Sequence, residues 1–113
     1  MPRYLLNALS PSMFNRRSTI LIEPIDLETA RRRLENGFIS AVGHESTAKL
    51  LTNLLGIAVV KNRIAVTLED GDTAIIVVLG FRPEEGKVYS LEELEKLYRQ
   101  GRIKLYYAEV KQP

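Results

Sequence analysis

Residues 74–79 read Ala74-Ile75-Ile76-Val77-Val78-Leu79, six apolar side chains without a polar interruption. Side chains on a strand alternate between the two faces of a sheet, so an unbroken apolar run needs both faces dry. The run predicts a central strand covered on both sides. Asp70-Gly71, just before it, is a tight-turn signal, and Ile64–Leu68 ahead of that turn is rich in β-formers. Together they predict a two-strand hairpin.

Outward from this hairpin the pattern alternates between strands and helices. Residues 3–9 and 18–24 read as two earlier strands, and Ile103–Val110 as a last one. Asp26 is placed to cap a helix over Leu27–Glu35, which Asn36-Gly37 ends. Phe38–Val42 is a short apolar approach to a second helix, in which Ala48, Leu51, Leu54 and Leu55 recur at helical spacing and Gly56 marks the stop. Ser90-Leu91-Glu92-Glu93 is a capping box for a third helix, with Gly101 after its end. Ser10-Pro11 opens a short helical turn. The expectation is an α/β fold, one domain over residues 1–113, with a five-stranded mixed sheet packed with about three helices. The last strand, bearing Tyr106 and Tyr107, is expected at a sheet edge, where it can join a second copy.

Bulk properties narrow the function classes. A chain of 113 residues with 45% hydrophobic and 27% charged residues suits one soluble domain. No apolar run has the length of a membrane span, and the apolar stretch near Met1 is too short for a secretory signal. There is no cysteine and hence no disulfide framework, and the expected compartment is the cytoplasm. A net charge of +2 is too mild for coating duplex DNA. The basic residues are nevertheless grouped: Arg16-Arg17, Arg31-Arg32-Arg33, Lys61 with Arg63, and Arg82. Most of the Arg31–Arg33 run reads as a solvated face.

The candidate chemistry lies at Gly43-His44-Glu45-Ser46-Thr47, which contains the only histidine. Imidazole is the side chain whose ordinary pKa falls near neutrality. His44 stands at a helix start, where free amides and the helix dipole favour an anion such as phosphate. A proton-transfer group beside an anion site suits phosphodiester chemistry. His, Ser and Thr near a helix start are also often just caps. One histidine, no cysteine and no carboxylate cluster argue against a metal site, and no cofactor is expected.

Further residues carry a resemblance. They are Leu6-Asn7-Ala8-Leu9-Ser10, Met13, Ile39-Ser40-Ala41-Val42-Gly43-His44-Glu45-Ser46-Thr47, Asn62-Arg63, Arg82, Glu84-Glu85-Gly86-Lys87 and Ser90-Leu91-Glu92-Glu93-Leu94. In this order and spacing the chain resembles the viral ring nucleases, anti-CRISPR enzymes that degrade the cyclic tetra-adenylate messenger of type III CRISPR systems. The likeness covers nearly the whole chain. It implies a homodimer with the ring bound across its two-fold axis, no metal, and a role in inhibiting or switching off that defence. For a viral chain the compartment is the host-cell cytoplasm.

By this resemblance the catalytic residues are His44 and Glu85. Arg82 matches a ligand-contacting position, and its planar fork suits two phosphate oxygens. Asn7, Ser10, Ser12, Gly43, Ser46, Thr47 and Arg63 complete the expected ligand contacts. The expected reaction resembles that of ribonucleases. The ribose 2′-oxygen attacks its own phosphate, and His44 protonates the departing 5′-oxygen. Glu85 either orients His44 or assists the 2′-hydroxyl. The rival readings are a non-enzymatic binder, either of cyclic nucleotides or, second, of DNA as a small viral protein, and a purely structural dimer. No recognition-helix pattern supports the second. Neither duplex DNA nor a membrane is an expected partner.

Overall fold

A computed structural model describes residues 2–113. Five strands run β1 Arg3–Leu6, β2 Thr19–Ile25, β3 Ile39–Ser40, β4 Thr73–Leu79 and β5 Ile103–Lys111. Three helices, α1 Leu27–Leu34, α2 Glu45–Leu55 and α3 Leu91–Arg99, join a short 3-10 turn at Pro11–Met13. The sheet order is β2-β5-β4-β1-β3. β1 is parallel to both β4 and β3, while β5 is antiparallel to both β4 and β2. The expected mixed five-stranded sheet with three helices is therefore the fold.

β4 occupies the middle of the sheet, and its apolar run divides between two cores. Ile75 and Val77 face the helices, together with Leu5, Leu105, Leu51 and Leu94. Ala74 and Ile76 face the other way and pack with Leu6, Val66, Leu68, Ala108 and Val110. All three helices contribute to the first core. The second is closed by Leu9, Met13 and Phe14 from the segment after β1 and by Val66 and Leu68 from the irregular chain before β4. Within the run Val78 is 41% exposed, on the helix-free face.

Each helix has an identifiable start or stop. The Asp26 carboxylate accepts from the Thr29 amide at 2.8 Å, and Leu27, Ala30 and Leu34 point into the core. Gly56, at φ 68°, ends α2 in the left-handed region that favours glycine. The Arg31 guanidinium donates to the Leu54 carbonyl at 2.7 Å, tying α1 to the end of α2. Ser90 and Glu93 form the expected capping box. The Glu93 carboxyl is held below the ordinary range, first by the Ser90 amide and then by Lys87. Its contribution is therefore full above the unfolded-chain value and is lost as pH falls through the folded one.

Four expectations need correction. Ile64–Leu68 is not a strand, so no hairpin forms, although Asp70-Gly71 does turn the chain. Val66 and Leu68 plug the second core, while the Leu68 amide bonds to the Met13 carbonyl instead of a ladder. The fifth strand is β3, inside the segment read only as an apolar approach. β5 is internal, not an edge; the edges are β2 and β3. The Arg31–Arg33 run is also not simply solvated. Besides the Arg31 bond, Arg33 lies 4.2 Å over the Tyr107 ring and 3.8 Å from Glu23.

Leu51 is fully buried between sheet and helices. Leu51→Ala should destabilise the fold by about 2–5 kcal/mol, through lost transfer energy plus a residual cavity. Urea denaturation followed by circular dichroism measures it. A change below about 1 kcal/mol would mean that the site is far less tightly packed than its burial indicates.

Candidate functional site

β1, β3 and β4 are mutually parallel, so their carboxyl ends meet at one end of the sheet. Crevices at such ends are the usual ligand sites of open α/β sheets. Here the crevice is a cavity of about 750 Å3. Asn7 enters it from the end of β1, and Val78 and Leu79 from the end of β4. His44, Ser46 and Thr47 come from the start of α2, and Arg82 and Glu85 from the loop after β4. Phe81 and Pro83 add apolar surface.

His44 is itself the N-cap residue of α2, in extended conformation, and its side chain makes no capping bond. Its carbonyl accepts the first helical bond, from Ala48 at 3.0 Å. The cap reading is thereby corrected: backbone, not imidazole, starts the helix. The ring stays exposed toward the cavity, beside the first-turn residues Ser46 and Thr47. That helix end favours an anion, and the His44 side chain makes no capping bond to its amides.

The loop carrying Arg82 and Glu85 is built around Tyr89, which is buried. The Tyr89 hydroxyl accepts from the Glu84 amide at 3.2 Å, and the Asn53 side chain donates to the Tyr89 carbonyl at 2.9 Å. Phe81 packs on Tyr89 with centroids 6.0 Å apart, and Lys87 lies 4.6 Å over the Tyr89 ring. Gly86, at φ 76°, makes the turn. Tyr89 and Asn53 were not legible as support residues, because an isolated Tyr before a capping box carries no distinguishing pattern.

A second groove, of about 380 Å3, opens on the other side of His44. It shares His44, Ser46 and Glu85 with the first and adds Gly43, Lys49, Lys61, Arg63 and Lys87. The Arg63 side chain folds over Gly43; a β-carbon there would meet its Nε at 3.5 Å. Residues 57–63 are tied down from three sides. Thr52 Oγ1 accepts from the Val59 amide at 2.9 Å and faces the Val59 carbonyl at 3.1 Å. Ser40 Oγ donates to the Val60 carbonyl, and Asn62 Nδ2 to the Ser40 carbonyl, both at 2.7 Å. Thr52 and Ser40 are further supports that periodicity alone could not reveal.

The expected residues thus divide. Asn7, His44, Ser46, Thr47, Arg82 and Glu85 share the larger cavity, and Gly43 and Arg63 line the groove next to it. Ser10 and Ser12 line neither. Ser10 Oγ lies 3.4 Å from the Ser12 amide and 3.0 Å from its hydroxyl, capping the 3-10 turn. Among the described residues no group of three or more His, Asp or Glu side chains is placed to hold a metal ion. No described helix is long and apolar enough to cross a membrane.

Residues 3–106 match the STIV B116-like family. The chain is 41% identical over 112 residues to the uncharacterized protein ORF116 of Acidianus filamentous virus 1, a match covering 97% of each chain. It is 43% identical over 97 residues to an uncharacterized protein of Sulfolobus islandicus filamentous virus, covering 83% of this chain and 82% of that one. Among solved structures, B116 of Sulfolobus turreted icosahedral virus superposes with a TM-score of 0.89 at 37% identity, covering 96% of this chain and 99% of that one. The chain belongs to the STIV B116-like family of archaeal viral proteins.

Thr52→Val keeps the shape of the side chain and removes its three bonds to Ala48 and Val59. It should cost about 1–3 kcal/mol, because the Val59 groups lose their partner. Amide exchange should accelerate in residues 57–63 while α2 stays protected. Unchanged exchange there would show that Ser40 and Asn62 hold the segment alone.

Proposed function

We propose that this protein is a metal-independent ring nuclease that opens cyclic tetra-adenylate and so counters type III CRISPR defence. The observation that carries the reading is the larger cavity. It gathers His44, Arg82 and Glu85 with Asn7, Ser46 and Thr47, residues up to 78 positions apart in the chain. An exposed imidazole, a forked cation, a carboxylate and free helix amides around one cavity suit a phosphodiester better than a neutral ligand.

The steps follow from that inventory. The helix start and Arg82 hold the non-bridging oxygens of the scissile phosphate. The adjacent ribose 2′-oxygen attacks phosphorus, and the bond from phosphorus to the 5′-oxygen breaks. His44, as imidazolium, gives its proton to that leaving oxygen. Glu85 draws the proton from the 2′-hydroxyl or, where it only orients His44, that proton passes to solvent water. The products are linear, with a 2′,3′-cyclic phosphate, and no water is consumed.

The ring is also larger than one such cavity would enclose, and its symmetry fits a homodimer with the ligand on the two-fold axis. The helix-free face of the sheet supports this. It leaves Ile22, Pro24 and Val78 exposed, and Val78 also lines the cavity. A second copy packed there would cover the apolar surface and complete the site from across the axis.

His44→Ala should slow single-turnover cleavage by about 100-fold or more and leave ring binding largely intact, since a general acid acts in the transition state. Excess EDTA should not slow the wild type, and a 2′-O-methyl ring should bind without being cut. Chromatography with mass detection reads all three. Wild-type cleavage by His44→Ala, or by wild type on the 2′-O-methyl ring, contradicts the mechanism.

Light scattering should find a dimer at micromolar concentration. Val78→Arg should give a folded monomer that no longer cleaves the ring. A wild-type monomer with and without ligand would exclude the shared site.

A further inference from the structure

Positive charge is distributed unevenly about His44. The titratable groups lining the inner cavity are His44, Arg82 and Glu85. The outer groove brings together Lys49, Lys61, Arg63 and Lys87, against Glu45 and Glu85. Lys49, Lys61 and Arg63 are exposed and take part in none of the ion pairs among the described residues; Lys87 lies 3.4 Å from Glu93. Four cations around one concavity repel each other, and a bound polyanion removes that repulsion.

The groove and the cavity adjoin, because His44, Ser46 and Glu85 line both. A polyanion seated in one passes His44 into the other. No Phe or Tyr lines the groove, so it is equipped for phosphate and not for stacking a base. We propose that the outer groove binds the phosphates of a linear single-stranded oligoribonucleotide that runs past His44 from the inner cavity. This rests on the reading of the inner cavity as a nucleotide site. A closed ring on the two-fold axis turns back between the two inner cavities. A strand with free ends extends into the groove and meets Lys49 and Lys61.

The test compares two ligands, both 2′-O-methylated to prevent turnover: linear hexa-adenylate and cyclic tetra-adenylate. Calorimetry is run on wild type, on Lys49→Gln/Lys61→Gln, and on Arg17→Gln/Arg99→Gln, a control of equal net charge with both changes at exposed positions elsewhere. The groove variant should bind the strand about tenfold more weakly, with a log–log salt slope shallower by about 1.4, and should hold the ring within about twofold of wild type. The control should match wild type for both ligands. The proposal is overturned by undetectable wild-type binding of the strand, by an unchanged groove variant, by equal losses for strand and ring, or by equal losses in the control. Cleavage of the unmodified ring by wild type is followed in parallel. A protein that leaves the ring intact yet shows the strand-selective loss retires the nuclease reading and keeps the groove; one that cuts the ring without that loss does the reverse.

Discussion

Everything else in this fold depends on keeping β4 dry on both faces. Its neighbours on the two sides have opposite directions: β1 is parallel to it and β5 antiparallel. The parallel pairing requires a crossover connection, and the crossover carries the helices to one face. It also brings the carboxyl ends of β1, β3 and β4 to the same end of the sheet. Asn7, Gly43-His44 and the Arg82–Glu85 loop follow those three strands in turn. The cavity is therefore a by-product of burying Ile75 and Val77, and catalytic candidates far apart in the chain converge without any dedicated framework.

Local rules with a mechanism transferred well from sequence to structure. Asp26, Gly56 and the Ser90–Glu93 box act where they were placed, because capping involves atoms within four residues of each other. The β4 run was legible for a similar reason: its length alone demands two dry faces. Ile64–Leu68 failed because alternation reports which side chains are buried, not where the backbone bonds go. Val66 and Leu68 are buried as the alternation implies, yet their segment packs as irregular chain. β3 was missed because two residues in register with Tyr4 and Leu5 leave no pattern of their own. The position of β5 was misplaced because order along the chain does not set order across a sheet.

The site was legible to a different depth. His44 stood out as a unique imidazole at a helix start, and the cavity does gather it with Asn7, Arg82 and Glu85. Ser10 and Ser12 were drawn in by their neighbourhood in sequence, but their hydroxyls face each other across a 3-10 turn. The supporting residues Thr52, Ser40, Asn53 and Tyr89 were invisible. Each works through a bond to backbone five to 36 residues away. Such bonds follow from tertiary proximity, which periodicity does not encode.

A small domain with one histidine can do demanding chemistry only if the substrate brings part of the machinery. On the proposed reading the ribose supplies the nucleophile, so the protein needs one proton donor, one charge clamp and a rigid seat. The fold provides the seat cheaply: the helix start is fixed by backbone bonding, which leaves the His44 ring uncommitted, and the Arg82 loop is pinned by Tyr89. The same economy explains why net charge is a poor guide here. A total of +2 conceals a nearly balanced inner cavity beside an outer groove with four cations and two carboxylates. On the proposed reading, reaction and phosphate attraction are separated in space, with His44 at the boundary between them.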